Sequence, residues 1–285
     1  MFTSTNKLFD LLPYFKKKLG AHYPDREVEN LFYWVCEDRF DLPKFQVRME
    51  DKRLSESELL SMRAIVKRLE KHEPIQYILG STEFYNCKIR VDINTLIPRP
   101  ETEELVDWVL DNVSKENTVL DIGTGSGCIP IALKKAVNSL HVSGLDISAK
   151  AIELAKESAA LNAVIVDFIQ MDILNPDLSQ LKKYDVIVSN PPYVLESDKK
   201  KMNENVLSYE PHLALFVADH EPLLFYTAIA KIGLEKLKPK GLLFFEIHED
   251  FGKETIEMLE DLGYQNIEIR KDMQGKDRMI RCEYV

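Results

Sequence analysis

Cysteine is scarce in this sequence, and the few cysteines lie far apart. Only 4 of the 285 residues are cysteine, with no C-x-x-C pair among them and no histidine at ligand spacing. The sequence therefore lacks the pattern of a disulfide framework and that of a structural zinc site. Reduced thiols in a cytoplasmic protein are the simplest interpretation, and we expect no bound metal.

Long apolar runs are also missing. No stretch approaches the ~18 consecutive apolar residues that predict a membrane span. The first 19 residues carry lysines but neither arginine nor a cleavage-site pattern, which argues against a secretory signal. These absences predict a cytoplasmic protein without a membrane segment.

Positive charge is in deficit as well. Lysine and arginine number 37 against 47 acidic residues, which gives a formal net charge of -10. A protein that grips nucleic acid usually has a basic face, because phosphate contacts dominate such affinity. The short basic run Lys199-Lys200-Lys201 is more simply a solvated loop. The charge balance therefore disfavours direct nucleic-acid binding and favours a protein partner or a small molecule.

Glycine is absent between Gly20 and Gly80, which is typical of a helical segment. Apolar residues recur there at helical spacing, and Ser55 followed by Glu58 predicts a capping box at the start of a helix. We predict that residues 1–79 form a small helical domain.

The character of the sequence changes after this domain. Residues 80–100 carry aromatic and β-branched residues around Asn86, which predicts a short hairpin that links two domains. In residues 101–285, strand-like runs alternate with helical stretches. This alternation predicts an α/β fold with a mostly parallel, doubly wound, seven-stranded sheet, whose last two strands pair antiparallel because no crossover fits between them. The predicted strands are Thr118–Ile122, Leu140–Leu145, Val164–Ile169, Tyr184–Ser189, Leu242–Ile247, Gln265–Arg270 and Met279–Tyr284.

A glycine-rich segment follows the first predicted strand. It reads Asp121-Ile122-Gly123-Thr124-Gly125-Ser126-Gly127, and Asp146 ends the next strand. Glycines let the backbone turn tightly beside a ligand, and an acid at the Asp146 position can hold ribose hydroxyls. The third glycine comes one residue too early for G-x-G-x-x-G, and Asp121 would repel a pyrophosphate but attract a cation. These details favour S-adenosylmethionine (SAM), which carries a sulfonium, an ammonium and a ribose but no phosphate.

The fourth strand ends in the sequence Asn190-Pro191-Pro192-Tyr193. Ligands bind at the carboxyl ends of strands in open α/β sheets, and the prolines make this corner stiff and rich in acceptors. It suits a substrate with a planar –NH2 group, although a plain turn is the other interpretation. After the third strand, Asp172 is placed to accept from an adenine amino group with Ile173 on the ring. A helix N-cap or loop acid is the alternative.

Together these motifs resemble a class I SAM-dependent methyltransferase that modifies a planar nitrogen. Further stretches narrow the resemblance to the PrmC/HemK family, the glutamine methyltransferases of peptide-chain release factors. They read Leu96-Ile97-Pro98-Arg99-Pro100-Glu101-Thr102-Glu103, Tyr209-Glu210-Pro211-His212-Leu213-Ala214-Leu215-Phe216 and Gly275-Lys276-Asp277-Arg278.

The resemblance implies a Rossmann-like fold, SAM as cofactor and release factors as protein partners, with methyl transfer to the amide nitrogen of a glutamine side chain. The implied catalytic and substrate-binding residues are Asn190, Pro191, Pro192 and Tyr193, with Arg99 and Glu101 also contacting substrate. The implied cofactor-binding residues are Asp121, Gly123, Thr124, Gly125, Ser126, Gly127, Asp146, Ile147, Asp172, Ile173 and Asn190. Since one glutamine offers little surface for selecting a protein, we expect residues 1–79 to recognise the substrate.

The chain departs from the family pattern after the fourth and fifth strands. A glycine-rich stretch of the family is replaced here by residues 217–222, and Pro239-Lys240-Gly241 stands where Pro-Gly-Gly is usual. His248 also replaces a glycine, and we expect it to be a solvated loop residue. The departures leave the conformation of these loops open.

Three alternatives for the function remain at this point. A glutamine methyltransferase of a ribosomal protein would share the Asn190–Tyr193 motif and a similar helical prefix. An adenine-amino methyltransferase of nucleic acid also acts on a planar –NH2 group, although the acidic balance counts against it. A non-catalytic SAM-binding protein is disfavoured by the intact acids and the intact motif.

Overall fold

Residues 5–285 are described here in a computed structural model, so the first four residues of the predicted helical domain lie outside the described chain. Two compact units are present. The first comprises residues 5–80 with Asn203–Tyr209, and the second comprises Ser81–Met202 with Glu210–Val285. The units differ from the predicted domains because a later segment joins the first unit and the hairpin belongs to the second.

The described residues form eleven α-helices and eleven β-strands. The helices are α1 (Leu12–Leu19), α2 (Asp25–Phe40), α3 (Lys44–Val47), α4 (Glu56–Leu69), α5 (Ile75–Leu79), α6 (Pro100–Leu110), α7 (Cys128–Ala136), α8 (Ala149–Leu161), α9 (Glu204–Tyr209), α10 (Leu224–Lys236) and α11 (Gly252–Asp261). The strands are β1 (Ser81–Phe84), β2 (Cys87–Arg90), β3 (Thr118–Ile122), β4 (His141–Asp146), β5 (Asp167–Gln170), β6 (Tyr184–Ser189), β7 (Val194–Leu195), β8 (Phe216–Val217), β9 (Leu237–Glu246), β10 (Gln265–Lys271) and β11 (Asp277–Glu283).

The first unit is an assembly of helices around an apolar core. The capping box is present at the start of α4, where the Ser55 hydroxyl accepts from the Glu58 backbone N–H and the Glu58 carboxylate accepts from that of Ser55. Phe15 and Phe32 are fully buried and pack edge to face with ring centroids 5.1 Å apart. The later segment is tied in by Tyr209, whose hydroxyl donates to the carbonyl of Lys71 over 2.8 Å.

A seven-stranded sheet organises the second unit, in the order β10-β11-β9-β6-β3-β4-β5. Strands β9, β6, β3, β4 and β5 run parallel, and β11 pairs antiparallel with both β9 and β10. The predicted α/β class and mostly parallel sheet are therefore confirmed. The chain leaves β3 toward β4 on one side and returns to β6 on the other. This reversal creates a crevice at the carboxyl ends of β3 and β6, where ligands bind in open α/β sheets.

Five of the seven predicted strands differ from their predicted bounds, and two of these begin more than two residues away from the predicted start. β9 begins at Leu237, directly after α10, whereas the prediction began at Leu242. The extra residues pair with β6 across a register shift next to Tyr184, and Lys240 has a positive φ of +63°. Such a bulge interrupts the regular pattern that a sequence reading relies on. β5 is confined to Asp167–Gln170 and is shorter at its start than predicted.

The predicted hairpin is present as β1 and β2. Tyr85 and Asn86 join the strands with φ values of +47° and +57°, the left-handed pair that a tight two-residue hairpin turn requires. The Asn162 side chain of α8 bonds both the N–H and the carbonyl of Lys88. The hairpin therefore docks on the second unit as a structural part of it.

Two glycines of the turn between β3 and α7 differ in their surroundings, so we expect an added methyl group to destabilise the protein more at one of them than at the other. Gly127 has φ +79°, and a Cβ there would lie 2.9 Å from the Cβ of Ala155, whereas Gly123 has φ +75° with nothing within 4 Å. Gly127→Ala should lower the free energy of unfolding by about 2–4 kcal/mol, from backbone strain plus overpacking. Gly123→Ala should cost only the strain, about 1–2 kcal/mol. Urea unfolding checks the difference, and equal losses would contradict this account.

Candidate functional site

A cavity of about 340 Å³ opens at the carboxyl ends of the central strands, a volume within the range of small-molecule sites. Eight of the residues predicted for the site line it, and they come from the loops after β3, β4, β5 and β6. They are Gly123, Gly125, Asp146, Ile147, Asp172, Ile173, Asn190 and Pro192. The fold thus brings together segments that lie far apart in the sequence.

The glycine-rich turn bends away from β3 through left-handed backbone. Gly123, Gly125 and Gly127 all have positive φ, while Thr124 and Ser126 are buried within the turn. The absence of side chains at the first two glycines keeps the backbone open to the cavity.

Asp146 joins the ends of β3 and β4. Its Oδ2 accepts from the N–H of Gly125 over 2.8 Å, and its Oδ1 accepts from the N–H of Ser148 over 2.9 Å. Burial raises the pKa of Asp146 despite these backbone donors. Each carboxylate oxygen has a second lone pair, so Asp146 can still accept from a ligand hydroxyl in the cavity.

Asp121 is the most unusual charge in the site. It is fully buried in β3, two residues before Gly123, and neither of its oxygens accepts a hydrogen bond within the described residues. Burial raises the pKa of Asp121 to about 7, the neighbouring Thr124 side chain opposes this rise, and the charge of Asp146 adds to it. An isolated buried carboxylate is costly unless a cation pairs with it. The environment of Asp121 is therefore suited to a positively charged ligand group.

Asp172 lies exposed at the edge of the cavity after β5. Its Oδ1 accepts from the N–H of Leu174 over 2.9 Å, which is the local loop bond that the sequence left open. One carboxylate oxygen remains without such a bond, and Ile173 lines the cavity beside it. Its neighbours Leu174 and Ile147 are large exposed apolar side chains that also line the cavity. This edge can accept one N–H donor and cover an apolar ring.

The Asn190 carboxamide has a defined partner on one side. Its Nδ2 donates to the Oγ1 of Thr102 over 3.1 Å, and no hydrogen bond occupies its Oδ1 within residues 5–285. Pro192 lines the cavity with it, while Pro191 is buried behind. Asn190 Oδ1 is therefore an acceptor that this corner can offer to a ligand in the cavity.

Tyr193 is held behind this corner rather than along the cavity wall. Its hydroxyl donates to the Oε1 of Glu246 over 2.8 Å, and burial raises its pKa well above the usual value. His248 packs edge-on to Tyr193 with ring centroids 6.0 Å apart and also contacts Phe251. The prediction of a solvated His248 is wrong, because its side chain is only 17% exposed.

Glu246 is a functional candidate that the sequence reasoning missed. It ends β9 with 1% exposure, and its Oε2 accepts from the hydroxyl of Thr102 over 2.6 Å. Burial raises the pKa of Glu246, while the bonds from Thr102 and Tyr193 oppose that shift. The sequence did contain an indication of this residue, because Glu246 directly follows the apolar run from Leu242 to Phe245. An acid in such a position is expected to be buried, and buried acids are rare unless they are paired.

Arg99 and Glu101 do not line the cavity. The Arg99 guanidinium pairs with the buried Glu210 over 2.6 Å, and the other oxygen of Glu210 accepts from the N–H of Ile97 over 3.2 Å. Glu101 accepts from the side-chain amide of Gln274 over 3.2 Å. These contacts tie the loop before α6 to its neighbours in the second unit. Substrate contact by either side chain stays a prediction.

Two of the three stretches that narrowed the family resemblance supply further cavity residues. They contribute Leu96 from the first stretch, with Ile93, Asn94 and Thr95 just before it, and Pro211, Leu213 and Ala214 from the second. Within residues 5–285 no group of three or more His, Cys, Asp or Glu side chains is arranged to hold a metal ion. The same described residues contain no helix long and apolar enough to span a membrane.

Comparisons with known sequences give consistent matches. Residues 10–80 match the family described as PrmC N-terminal domain, and residues 101–210 match the Methyltransferase small domain. The chain is 43% identical to the release factor glutamine methyltransferase of Flavobacterium psychrophilum, over 95% of this chain and 96% of that protein. It is 42% identical to the protein of the same name from Bacteroides thetaiotaomicron, over 94% and 96%.

Solved structures show the same fold at low identity. A methyltransferase from Pyrococcus furiosus is similar with a TM-score of 0.53 and 17% identity, over 78% of this chain and 98% of that one. The 16S rRNA N2 G1207 methyltransferase of T. thermophilus has a TM-score of 0.51 and 15% identity, over 72% and 50%. At this low identity the likenesses show the fold and not the substrate.

The buried Asp121 predicts a pH-dependent stability. Its pKa of about 7 in the folded chain exceeds the ordinary 3.8, so the folded state holds a proton that the unfolded state releases between these values. Stability should therefore fall as pH rises through this window, by about 4 kcal/mol for this group. Asp121→Asn should remove most of that fall in urea unfolding between pH 4 and pH 8.

Asp172, an exposed acid at the edge of the cavity, provides a control substitution for Asp121→Asn. Asp172→Asn makes the same change of a carboxylate to an amide at an exposed side chain, and it should change the free energy of unfolding by no more than about 0.5 kcal/mol. Identical pH profiles for Asp121→Asn and the unsubstituted protein would contradict the assignment.

Proposed function

We propose, from the premise that this chain belongs to the PrmC/HemK family of release factor glutamine methyltransferases, that it methylates the glutamine of the Gly-Gly-Gln motif in peptide-chain release factors. The methyl group of SAM is transferred to the side-chain amide nitrogen. The observation that carries the proposal is the Asn190 carboxamide, whose nitrogen is bonded to Thr102 and whose oxygen is left for the cavity. An acceptor there matches the N–H donors of a primary amide.

The residues of the cavity fit SAM. Asp121 precedes the glycine turn that lines the cavity and is a buried carboxylate with no hydrogen-bond partner among residues 5–285, which suits a cationic group; Asp146 lines the cavity and retains acceptor capacity for ribose hydroxyls. When bound, SAM supplies an electrophilic methyl group on a sulfonium. The residues that would hold it are Asp121, Gly123, Thr124, Gly125, Ser126, Gly127, Asp146, Ile147, Asp172, Ile173 and Asn190.

The protein's part in the reaction is alignment. An amide nitrogen is a poor nucleophile because its lone pair is delocalised into the carbonyl. Asn190 Oδ1 and the Pro191 carbonyl accept the two N–H bonds of the substrate glutamine, and they stabilise the partial positive charge that the nitrogen gains. Holding reactants in attack geometry lowers a barrier by up to ~7–11 kcal/mol. Pro192 lines the cavity and excludes water from the amide, while Tyr193 supports the motif from behind through its bond to Glu246.

Charge favours a protein substrate over nucleic acid. Residues 81–285 contain 23 basic and 34 acidic side chains, whereas residues 1–80 contain 14 and 13. Residues 81–285 therefore carry the whole net negative charge of the protein. This charge disfavours binding of the phosphate backbone that an adenine-amino methyltransferase must approach. A ribosomal-protein substrate is the second candidate, and the same transfer assay distinguishes it. Since release factors act in translation, we place the protein in the cytoplasm.

Asn190→Ala tests the acceptor role. With labelled SAM and a purified release factor, kcat should fall at least about 100-fold, the usual effect of deleting one positioned hydrogen-bonding group. SAM affinity measured by calorimetry should change far less. Asn138→Ala, at an exposed asparagine of the same unit, is the matched control and should retain activity.

The substrate provides its own control. A release factor with glutamine replaced by alanine in the Gly-Gly-Gln motif should accept no label. Transfer to a ribosomal protein but not to the release factor would overturn the proposed substrate. Near-normal transfer by Asn190→Ala would overturn the amide-binding role.

Recognition of the folded substrate needs more surface than the cavity offers, since stable interfaces bury ~1,200–2,000 Å². The first unit presents large apolar side chains to solvent, with Trp34 49% exposed, Phe45 67% and Met49 82%. Arg48 lies between Phe45 and Met49 in the sequence and donates to the hydroxyl of Tyr33, which precedes Trp34. Exposed aromatic residues, methionine and arginine are characteristic of protein interfaces. We assign substrate recognition to this face.

A double substitution tests that assignment. Phe45→Ser with Met49→Ser should raise the KM for release factor at least about tenfold, because interface anchors each contribute more than ~1 kcal/mol, while SAM affinity stays unchanged. Ile165→Ser, at a side chain 81% exposed on the second unit, is the matched control. An unchanged KM in the double variant would exclude this face.

A further inference from the structure

Three hydrogen bonds connect the buried carboxylate of Glu246 to the Asn190–Tyr193 motif. Asn190 Nδ2 donates to Thr102 Oγ1 over 3.1 Å, and the Thr102 hydroxyl donates to Glu246 Oε2 over 2.6 Å. The other oxygen of Glu246 accepts from the Tyr193 hydroxyl over 2.8 Å. Glu246 is 1% exposed and Thr102 is 2% exposed. Water therefore has little access to these bonds, and each donor must find its partner within the protein.

The donor and acceptor in each of these hydrogen bonds follow from the number of protons available. An ionised carboxylate only accepts, and a hydroxyl has one proton to donate. Once Thr102 donates its proton to Glu246, only lone pairs remain on Oγ1 for Asn190. The nitrogen of the carboxamide must therefore face Thr102, and the oxygen must face away from it.

We propose that Glu246 is a positioning residue that sets the orientation of the Asn190 carboxamide through Thr102. The inference rests on the proposed function, since an acceptor in the cavity is useful for a substrate that brings N–H donors. A reversed carboxamide would present –NH2 to the –NH2 of the substrate, and two donors repel. The same carboxylate holds Tyr193, so one buried acid positions both ends of the Asn190–Tyr193 motif.

Isosteric substitutions separate this role from packing. Glu246→Gln keeps the shape but introduces a donor. If the new –NH2 group donates to Thr102, the direction of the hydrogen bonds from Thr102 to Asn190 is reversed. If it faces Tyr193 instead, it displaces the hydrogen bond from the Tyr193 hydroxyl. Thr102→Val keeps the volume but removes the hydroxyl and leaves the bond between Glu246 and Tyr193 in place. Thr102→Ser keeps the hydroxyl and is the matched control.

Two measurements are made on each variant. With the release factor as substrate, Glu246→Gln and Thr102→Val should each lower kcat about 100-fold, with KM and SAM affinity within about threefold, while Thr102→Ser stays within about threefold of the unsubstituted enzyme. Without substrate, NMR of the Asn190 side-chain amide should show cross-peaks between its protons and residue 102. These cross-peaks should persist in Thr102→Ser and weaken in Thr102→Val.

The outcomes are distinct. Full kcat in Thr102→Val, or amide cross-peaks to residue 102 as strong as in the unsubstituted protein, would overturn the positioning role even if Glu246→Gln fails to fold. If the unsubstituted enzyme labels no release factor, the proposed function fails. The NMR result then still decides whether Thr102 orients the Asn190 carboxamide.

Discussion

The parallel pairing of β3 with β4 and β6 is the constraint on which the site depends. Because parallel strands end at the same edge of a sheet, Asp121, Asp146 and Asn190 lie at or directly beside the ends of three neighbouring strands although they are far apart in the sequence. The register places Asp121 beside Gly144 and Val188, and Ile122 beside Ser189. A slip of one residue would turn the buried faces of these strands toward the wrong layer.

Buried charge is the second determinant of this site. Asp121 and Glu246 are both almost inaccessible to solvent, yet their surroundings differ. Two hydroxyl donors surround Glu246, which fixes it as part of the scaffold. Among the described residues, no group donates a hydrogen bond to Asp121, so its burial is a cost that a cationic ligand can offset. The same physical penalty thus distinguishes a structural carboxylate from one reserved for a ligand.

Much of the fold and part of the site could be predicted from the residues. Apolar runs of strand length separated by helical periodicity indicated the sheet, because a strand buried on both faces must be apolar throughout. The glycine turn, Asp146 and the Asn190–Tyr193 motif were visible because their chemistry is local. Glu246 and the buried position of His248 were not predictable in this way, because their roles depend on contacts with Thr102 and Tyr193, which are remote in the sequence.

The sequence by itself determined the class of fold, the glycine turn and the acceptor-rich corner, since these follow from backbone conformations that a few adjacent residues impose. Tertiary structure alone decided which way the Asn190 carboxamide faces, and why Gly144 must be glycine, since a Cβ there would lie 2.8 Å from Thr124 Oγ1. It also decided that Arg99 pairs with Glu210. Each of these features depends on a contact between segments that are far apart in the sequence, and a local sequence pattern carries no information about such contacts.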